Sequence, residues 1–229
     1  MEETKRISEK GQVVSIRTAL QFVVLVGIVS LFADMTYEGA RSINGPYLAI
    51  LGASGAVVGV VSGLGELIGY SLRMVSGVIS DKTGRYWSIT FLGYAVNLIA
   101  VPLLALAGNW QMAVILMILE RLGKGIRVPP RDAMLSYATQ RMGRGWGFGL
   151  HEALDQIGAI IGPLIIAAAL YNREGYRFGY AILIIPALLA LMMLTIARYL
   201  YPRPRDLEVK QTGLQVQGFS RLFWLYIAG

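Results

Sequence analysis

The stretch YWSITFLGYAVNLIAVPLLALAGNWQMAVILMIL, residues 86–119, decides the fold because its thirty-four residues include no Asp, Glu, Lys or Arg. A helix needs about 20 mostly apolar residues to cross a bilayer, so this stretch is too long for one crossing. Gly108, Asn109 and Trp110 form a turn signal within it. The stretch therefore predicts two membrane spans, Tyr86–Ala107 and Trp110 to about Val128.

Hydrophobic blocks on either side of this stretch predict four more spans. Their approximate bounds are Thr18–Tyr37, Ser54–Ser80, Trp146–Leu170 and Phe178–Leu200. Hydrophobic residues make up 55% of the chain and charged residues 15%. Soluble domains have ~45–50% and ~25%, so the composition argues against a soluble fold. We expect an all-α polytopic membrane bundle of six transmembrane helices over residues 1–200.

Two further segments follow the sixth span. Residues 201–220 are polar and contain Pro202 and Pro204, so we expect a cytoplasmic connector there. Residues 221–229 open another hydrophobic block, which we interpret as the start of a seventh span. An ending inside such a block favours a truncated chain over a complete half-size unit.

The net charge of +7 comes from basic residues that concentrate between the hydrophobic blocks. Between spans four and five, Pro129 and Pro130 are expected to break the helix within a basic stretch that holds Lys124, Arg127 and Arg131. The turn between spans three and four has no basic residue. This positive-inside pattern predicts a cell inner-membrane protein with a cytoplasmic N-terminus. A nucleic-acid-binding protein would carry a basic patch on a soluble domain, so we expect no nucleic-acid partner.

No signal for a metal, a cofactor or an enzyme is present in the sequence. The absence of cysteine excludes disulfides and thiolate metal sites. His151 is the only histidine, and neither a nucleotide-binding loop nor a nucleophile elbow occurs. His151 could carry protons near neutral pH, or it could simply hydrogen-bond a neighbour.

Charged side chains inside the spans are the candidate functional residues. Each costs about 2.5–3.5 kcal/mol to insert, and such groups face a bundle interior or a watery cavity, where they pair. We expect Asp34, Glu66, Arg121 and Asp155, from spans one, two, four and five, to line one cavity. The alternative is a set of buried ion pairs that only fix the helix register.

Three short segments accompany the spans. GVISDKTGRYW, residues 77–87, lies between spans two and three and contains Gly77, Asp81, Lys82, Gly84 and Arg85. RLGKG, residues 121–125, lies in span four, and GAIIGP, residues 158–163, places Gly158, Gly162 and Pro163 in span five. Glycines four residues apart open a groove for a neighbouring helix, so the last segment could serve packing alone.

Together with the six-span layout, these segments resemble the N-terminal half of a major facilitator superfamily transporter. The resemblance implies a 3+3 helix repeat, a cytoplasmic gating contact made by Asp81 and Arg85, and a role for Arg121 in proton coupling. The Gly158–Pro163 segment is similar to a signature of the antiporter branch. Tyr86 departs from the family pattern, which has a basic residue there.

The resemblance implies secondary active transport of a small molecule by proton-coupled efflux. Asp34, Glu66 or Asp155 would carry the proton. Uptake by a transporter of the same superfamily, or a truncated membrane protein that transports nothing, is the alternative. The expected partners are a small-molecule substrate, protons, the lipid bilayer, and either a second half or a second copy of the chain.

Overall fold

The computed structural model describes residues 15–140, 142–172 and 175–208, which form seven α-helices and no strand within those ranges. The helices are α1 Ile16–Ile50, α2 Gly55–Thr83, α3 Tyr86–Leu103, α4 Trp110–Thr139, α5 Arg144–Tyr171, α6 Gly175–Ile182 and α7 Ile184–Leu200. Short 3₁₀ turns follow α3, at Leu104–Leu106, and α7, at Pro204–Leu207. The connector from residue 209 and the expected seventh span lie outside the described residues.

Five helical segments in the described ranges are long and apolar enough to cross a membrane. They are α1, α2, α3 with its 3₁₀ turn, α5, and α6 with α7. Leu183 separates α6 from α7, since Pro186 has no N–H to bond the carbonyl of Ile182. The thirty-residue α4 is long enough but carries Glu120, Arg121 and Lys124 near its middle, and these lower its hydropathy.

Successive spanning segments run in opposite directions, with α6 and α7 together forming one segment. The helix α4 runs between the same two ends as these segments. At one end, the Trp87 indole N–H donates to the carbonyl of Tyr201 (2.9 Å), and the Tyr201 hydroxyl donates to that of Thr18 (3.4 Å). At the other end, the Tyr47 hydroxyl donates to the carbonyl of Leu104 (3.0 Å). The start of α1, the start of α3 and the end of α7 therefore share one end of the bundle.

The first helix is longer than the sequence predicted. The first span was expected to finish near Tyr37, but α1 continues through Asp34, Glu38 and Arg41 and across Pro46 to Ile50. The physical reason is that these charged side chains have partners on α2 and α4, so they need no exit to water.

The expected break at Pro129 and Pro130 was also wrong, since α4 continues to Thr139. Pro130 has no N–H to bond the carbonyl of Ile126, and the Ser76 hydroxyl of α2 donates to that carbonyl instead (2.6 Å). Lys124, Arg127 and Arg131 therefore belong to α4 and pack within the bundle, and Arg127 is fully buried.

Candidate functional site

Two charged helix faces meet inside the bundle. Asp34, Glu38 and Arg41 are four and three residues apart, which places them on one face of α1. Arg121, Lys124 and Arg127, each three residues apart, follow one face of α4. Because α1, α2 and α4 are neighbours, opposite charges from different helices come into contact.

Arg121 pairs with Glu66 of α2. Its Nη1 donates to Oε1 of Glu66, and Nη2 of Arg41 lies 3.7 Å from the same oxygen. Gly65 gives the Arg121 side chain its space, because a Cβ at position 65 would overlap it. Gly69 and Gly125 bring the backbones of α2 and α4 together, since a Cβ at Gly125 would lie 2.7 Å from the Gly69 carbonyl oxygen.

A second pair joins α1 to α4 deeper in the bundle. Nη2 of Arg127 donates to Oδ1 of Asp34 (3.0 Å), and both residues are buried. The Arg127 guanidinium lies 4.3 Å from the centroid of the Tyr94 ring on α3. Removing one member of a buried pair leaves the other charge uncompensated, so this contact ties α1 to α4.

Lys124 and Glu38 connect the two pairs, because Glu38 also lies 3.6 Å from Arg41, which contacts Glu66. The Nζ of Lys124 lies 3.7 Å from a carboxylate oxygen of Asp34 and 3.7 Å from one of Glu38. The same nitrogen lies 3.5 Å from the centroid of the Tyr37 ring, within cation–π range. A single amine thus lies between two acids of α1 and an aromatic ring.

A cavity of about 290 Å³ opens beside these pairs, between α1, α2 and α4. Its volume suits a small solute. Its wall carries both signs of charge together with aromatic rings. The lining residues are Tyr37, Arg41, Gly65, Glu66, Gly69, Tyr70, Arg73, Arg121, Lys124 and Gly125.

The four predicted cavity residues occupy different places. Glu66 and Arg121 line the cavity. Asp34 lies behind it and reaches it through Lys124. Asp155 of α5 lies farther back, near Asp34 and Arg131. The structure therefore brings Glu66 and Arg121 together at the cavity, with Asp34 and Asp155 grouped behind them.

Two acids each have a buried carboxylate oxygen without a hydrogen-bond partner in the described part of the chain. They are Asp155, through Oδ1, and Glu120 of α4, through Oε1. Glu120 is 1% exposed, and its backbone carbonyl accepts from Nδ2 of Asn97 (2.9 Å). Acids buried in a membrane bundle are candidate proton carriers by default. Glu120 is an addition to the predicted set.

His151 takes part in a small network at α1. The Ser30 hydroxyl lies 3.0 Å from Nε2 of His151 and accepts from Nη1 of Arg131 (3.0 Å). The sequence prediction of a cavity had not included Lys124, Arg127 or Arg131. Their spacing of three and four residues along one helix face was the available signal, obscured by the two prolines.

The segment between α2 and α3 forms a tight turn. Gly84 adopts a left-handed conformation (φ 66°), and its N–H donates to the Ser80 carbonyl (2.8 Å), so it caps α2. A Cβ at Gly77 would lie 3.6 Å from Pro129 on α4. Lys82 and Arg85 are exposed and make no ion pair within the described residues.

Tyr86 occupies the centre of a polar cluster at this turn. Its hydroxyl donates to Oδ1 of Asp81 (3.2 Å) and lies 3.0 Å from the Tyr137 hydroxyl of α4. Nη2 of Arg205, beyond α7, donates to the Tyr86 oxygen (3.2 Å). A basic side chain thus reaches the position where the family pattern has one, but it comes from another part of the chain.

The glycines of α5 face the backbone of α1. A Cβ at Gly158 would overlap the carbonyl oxygen of Leu31, and one at Gly162 would overlap that of Met35. Gly39 of α1 approaches from the other side, where a Cβ would lie 3.2 Å from the Gly162 carbonyl oxygen. Pro163 lies inside α5 without ending it. This segment therefore serves close helix packing.

Comparison with known proteins identifies a family for this bundle. The family model described as "Major Facilitator Superfamily" matches residues 24–228. An uncharacterized MFS-type transporter of Methanocaldococcus jannaschii is 37% identical over 163 residues, which are 71% of this chain and 40% of the relative.

Of two further relatives, one is uncharacterized and the other is named for multidrug resistance. An uncharacterized protein of Mycobacterium tuberculosis is 47% identical over 192 residues, 83% of this chain and 47% of that protein. The multidrug resistance protein MdtH of Proteus mirabilis is 33% identical over 115 residues, 50% of this chain and 28% of its own length. This chain spans about half the length of the mycobacterial relative that it matches.

Proposed function

This chain belongs to the major facilitator superfamily, and from that membership we propose that it supplies half of a transporter that exports a small molecule in exchange for protons. The observation that carries the proposal is the Glu66–Arg121 pair on the wall of the 290 Å³ cavity. A carboxylate and a guanidinium at bilayer depth are expensive to keep unless they serve a polar pathway.

The pair provides a way to couple protons to a solute. A proton that binds Glu66 removes its negative charge and weakens its attraction to Arg121. The guanidinium is then free to bind a polar group of the solute. Loss of the proton restores the pair and displaces the solute. Two states that differ in these contacts are what a coupled cycle requires.

The proposed proton path continues from Glu66 to three further acids, Asp34, Asp155 and Glu120. None of the three lines the cavity, and Lys124 contacts both Asp34 and the Tyr37 ring on the cavity wall. A proton that moves between these acids and Glu66 changes the charge that Lys124 and Arg121 must balance. Substrate binding and proton binding therefore act on the same side chains.

Efflux is proposed as the direction on two grounds. One relative is named a multidrug resistance protein, and Gly158–Pro163 resembles the antiporter signature.

The orientation of the bundle is proposed from its exposed basic residues. Four of them lie at the end shared by the start of α1 and the end of α7: Lys82, Arg85, Arg144 and Arg203. By the positive-inside rule, this charge supports the proposal that this end faces the cytoplasm from the inner membrane.

The test uses the chain alone and a chimera in which it replaces the matched 47% of the mycobacterial relative. Both are reconstituted in liposomes with a pH-sensitive dye inside. A panel of anionic, neutral and cationic solutes is added under an imposed pH gradient. We expect at least one solute to move protons through the chimera, with release of that solute against its gradient.

Two variants decide the role of the pair. Arg121→Gln and Glu66→Gln should each lower the coupled flux by at least about ten-fold, which corresponds to about 1.4 kcal/mol. Arg177→Gln, an exposed arginine at the far end of the bundle, is the control and should leave the flux unchanged. The coupling proposal would be wrong if solute flux did not depend on the pH gradient, or if the coupled flux were equal in all three variants.

A further inference from the structure

A second cavity, of about 460 Å³, lies at the end of the bundle where α3 begins and α7 ends. It is separate from the charged cavity between α1, α2 and α4 and shares no lining residue with it. Its wall contains four arginines and one acid. The lining residues are Gly84, Arg85, Tyr86, Trp87, Ser88, Arg198, Pro202, Arg203, Pro204, Arg205 and Asp206.

The positive charge of this cavity is not balanced by the described part of the chain. Arg85, Arg198, Arg203 and Arg205 form no ion pair there, and Asp206 offsets only one of the four charges. Arg198 lies 5.4 Å from the Phe91 ring centroid, and Arg205 bonds the uncharged Tyr86 hydroxyl. Three positive charges remain for a ligand that supplies negative charge.

The start of α3 adds neutral donors to the same cavity. Arg85 precedes the helix and provides no side-chain cap, so the first backbone N–H groups of α3 have no cap acceptor. Backbone N–H groups at a helix start favour phosphate-like anions. They reinforce the arginines, which are themselves well suited to phosphate.

The position of the cavity indicates the source of the anion. The cavity lies where α3 begins and α7 ends, and the ends of spanning segments are expected at the membrane–water boundary. An apolar stripe on α3 continues from Ser88 towards the bilayer centre. Leu92 is 57% exposed and Ile99 is 53% exposed on that stripe. Acyl chains fit such a surface, whereas a free phosphate would not use it.

We propose that this cavity binds the head group of an anionic glycerophospholipid, whose acyl chains lie along the α3 stripe. The phosphate contacts the arginines and the first N–H groups of α3. Because one arginine comes from the turn after α2 and three from the end of α7 and the segment after it, the lipid joins these two regions at the surface. The proposal does not depend on transport activity.

The test measures lipid binding to the purified chain by native mass spectrometry in a neutral detergent. Phosphatidylglycerol and zwitterionic phosphatidylcholine are titrated separately. The double variant Arg85→Gln/Arg203→Gln is compared with Arg17→Gln/Arg144→Gln, which also removes two exposed arginines but none from the cavity. Each arginine near an anionic lipid contributes about five-fold, so the cavity variant should bind phosphatidylglycerol about 25-fold more weakly.

The control variant should retain the affinity of the unaltered chain, and phosphatidylcholine should bind more weakly than phosphatidylglycerol to both. Equal weakening in the two double variants would mean general charge attraction and would overturn the site. The proposal would also be overturned if inorganic phosphate at millimolar concentration bound the cavity as tightly as phosphatidylglycerol. The acyl chains would then contribute nothing to the affinity. If the cavity variant does not fold, Arg203→Gln alone is used, with a five-fold loss expected.

Discussion

The hydroxyl of Ser76 donates to the carbonyl of Ile126 at 2.6 Å, across the contact between α2 and α4. That carbonyl has lost its helical partner because Pro130 has no N–H. This hydroxyl thus replaces the donor that Pro130 lacks, at the point where α4 continues through two consecutive prolines and carries Arg127 into the bundle.

Ser76→Ala should destabilise the bundle by about 0.6–1.7 kcal/mol, the range for hydrogen bonds between membrane helices. The reason is that a buried carbonyl is left without a donor. The measurement is unfolding in mixed detergent, followed by circular dichroism. Ser71→Ala is the control, since the exposed Ser71 hydroxyl bonds only the Leu67 carbonyl of its own helix. Equal stability of the two variants would contradict the role given to Ser76.

Gly158→Leu should separate α1 from α5, because even a Cβ at this position overlaps the Leu31 carbonyl oxygen. Overpacking of this kind costs about 1–3 kcal/mol or more, and we expect a lower yield of folded monomer in size-exclusion chromatography. Gly149→Leu, on the same helix with no atom within 4 Å of its Cβ position, should behave like the unaltered chain. A tolerated leucine at 158 would show that the two helices are not in backbone contact.

Asp34→Asn should be among the most destabilising single substitutions, at about 3–5 kcal/mol, because it leaves the buried Arg127 guanidinium without its charge partner. The double variant Asp34→Asn/Arg127→Gln should recover part of that loss. Chemical unfolding of the three proteins in detergent gives the comparison. If the double variant is less stable than Asp34→Asn, the two side chains are not acting as a pair.

Glu66→Gln should be milder, since the Glu66 side chain is 42% exposed at the cavity and water can screen the Arg121 charge. A double-mutant cycle with Arg121→Gln should give a coupling energy of about 0.5–1 kcal/mol. The cycle Glu66→Gln with Arg131→Gln is the matched comparison and should be additive. A coupling energy larger than that between Asp34 and Arg127 would contradict the expectation that water at the cavity weakens the Glu66–Arg121 pair.

Tyr86→Phe should loosen the segment that follows α7. It removes the hydroxyl that contacts Asp81, Tyr137 and Arg205. Hydrogen–deuterium exchange of residues 203–207 should rise several-fold relative to the unaltered chain. Tyr171→Phe, at a tyrosine that is 88% exposed, provides the control. Unchanged exchange would mean that the segment is held mainly by Trp87 and the Tyr201 carbonyl.

Hydrophobic blocks and turn residues predicted the helical membrane bundle and most helix positions. The long charge-free stretch became α3, a 3₁₀ turn and the first part of α4, divided at Asn109 as its turn residues indicated. These features depend on local composition, which the sequence displays directly. The assignment to the superfamily is confirmed by the family match.

The ends of α1 and α4 could not be predicted, because they depend on contacts between distant residues. Asp34, Pro129 and Pro130 are signals for a helix end when they are considered alone. They are accommodated by Arg127 and Ser76, which lie 93 and about 50 positions away in the chain. The same limitation applies to the cavity. The presence of charge inside a span identified Glu66 and Arg121 as candidates, but it did not identify Lys124 as the connection to Asp34.

The start of α1 and the end of α7 lie at the same end of the bundle, held together through Thr18 and Tyr201. An arrangement with this property can be repeated in tandem without inverting the second copy, because a short polar linker on one side of the membrane suffices. Gene duplication can therefore enlarge such a protein in a single step, and each copy inherits the same insertion signals from its own loops.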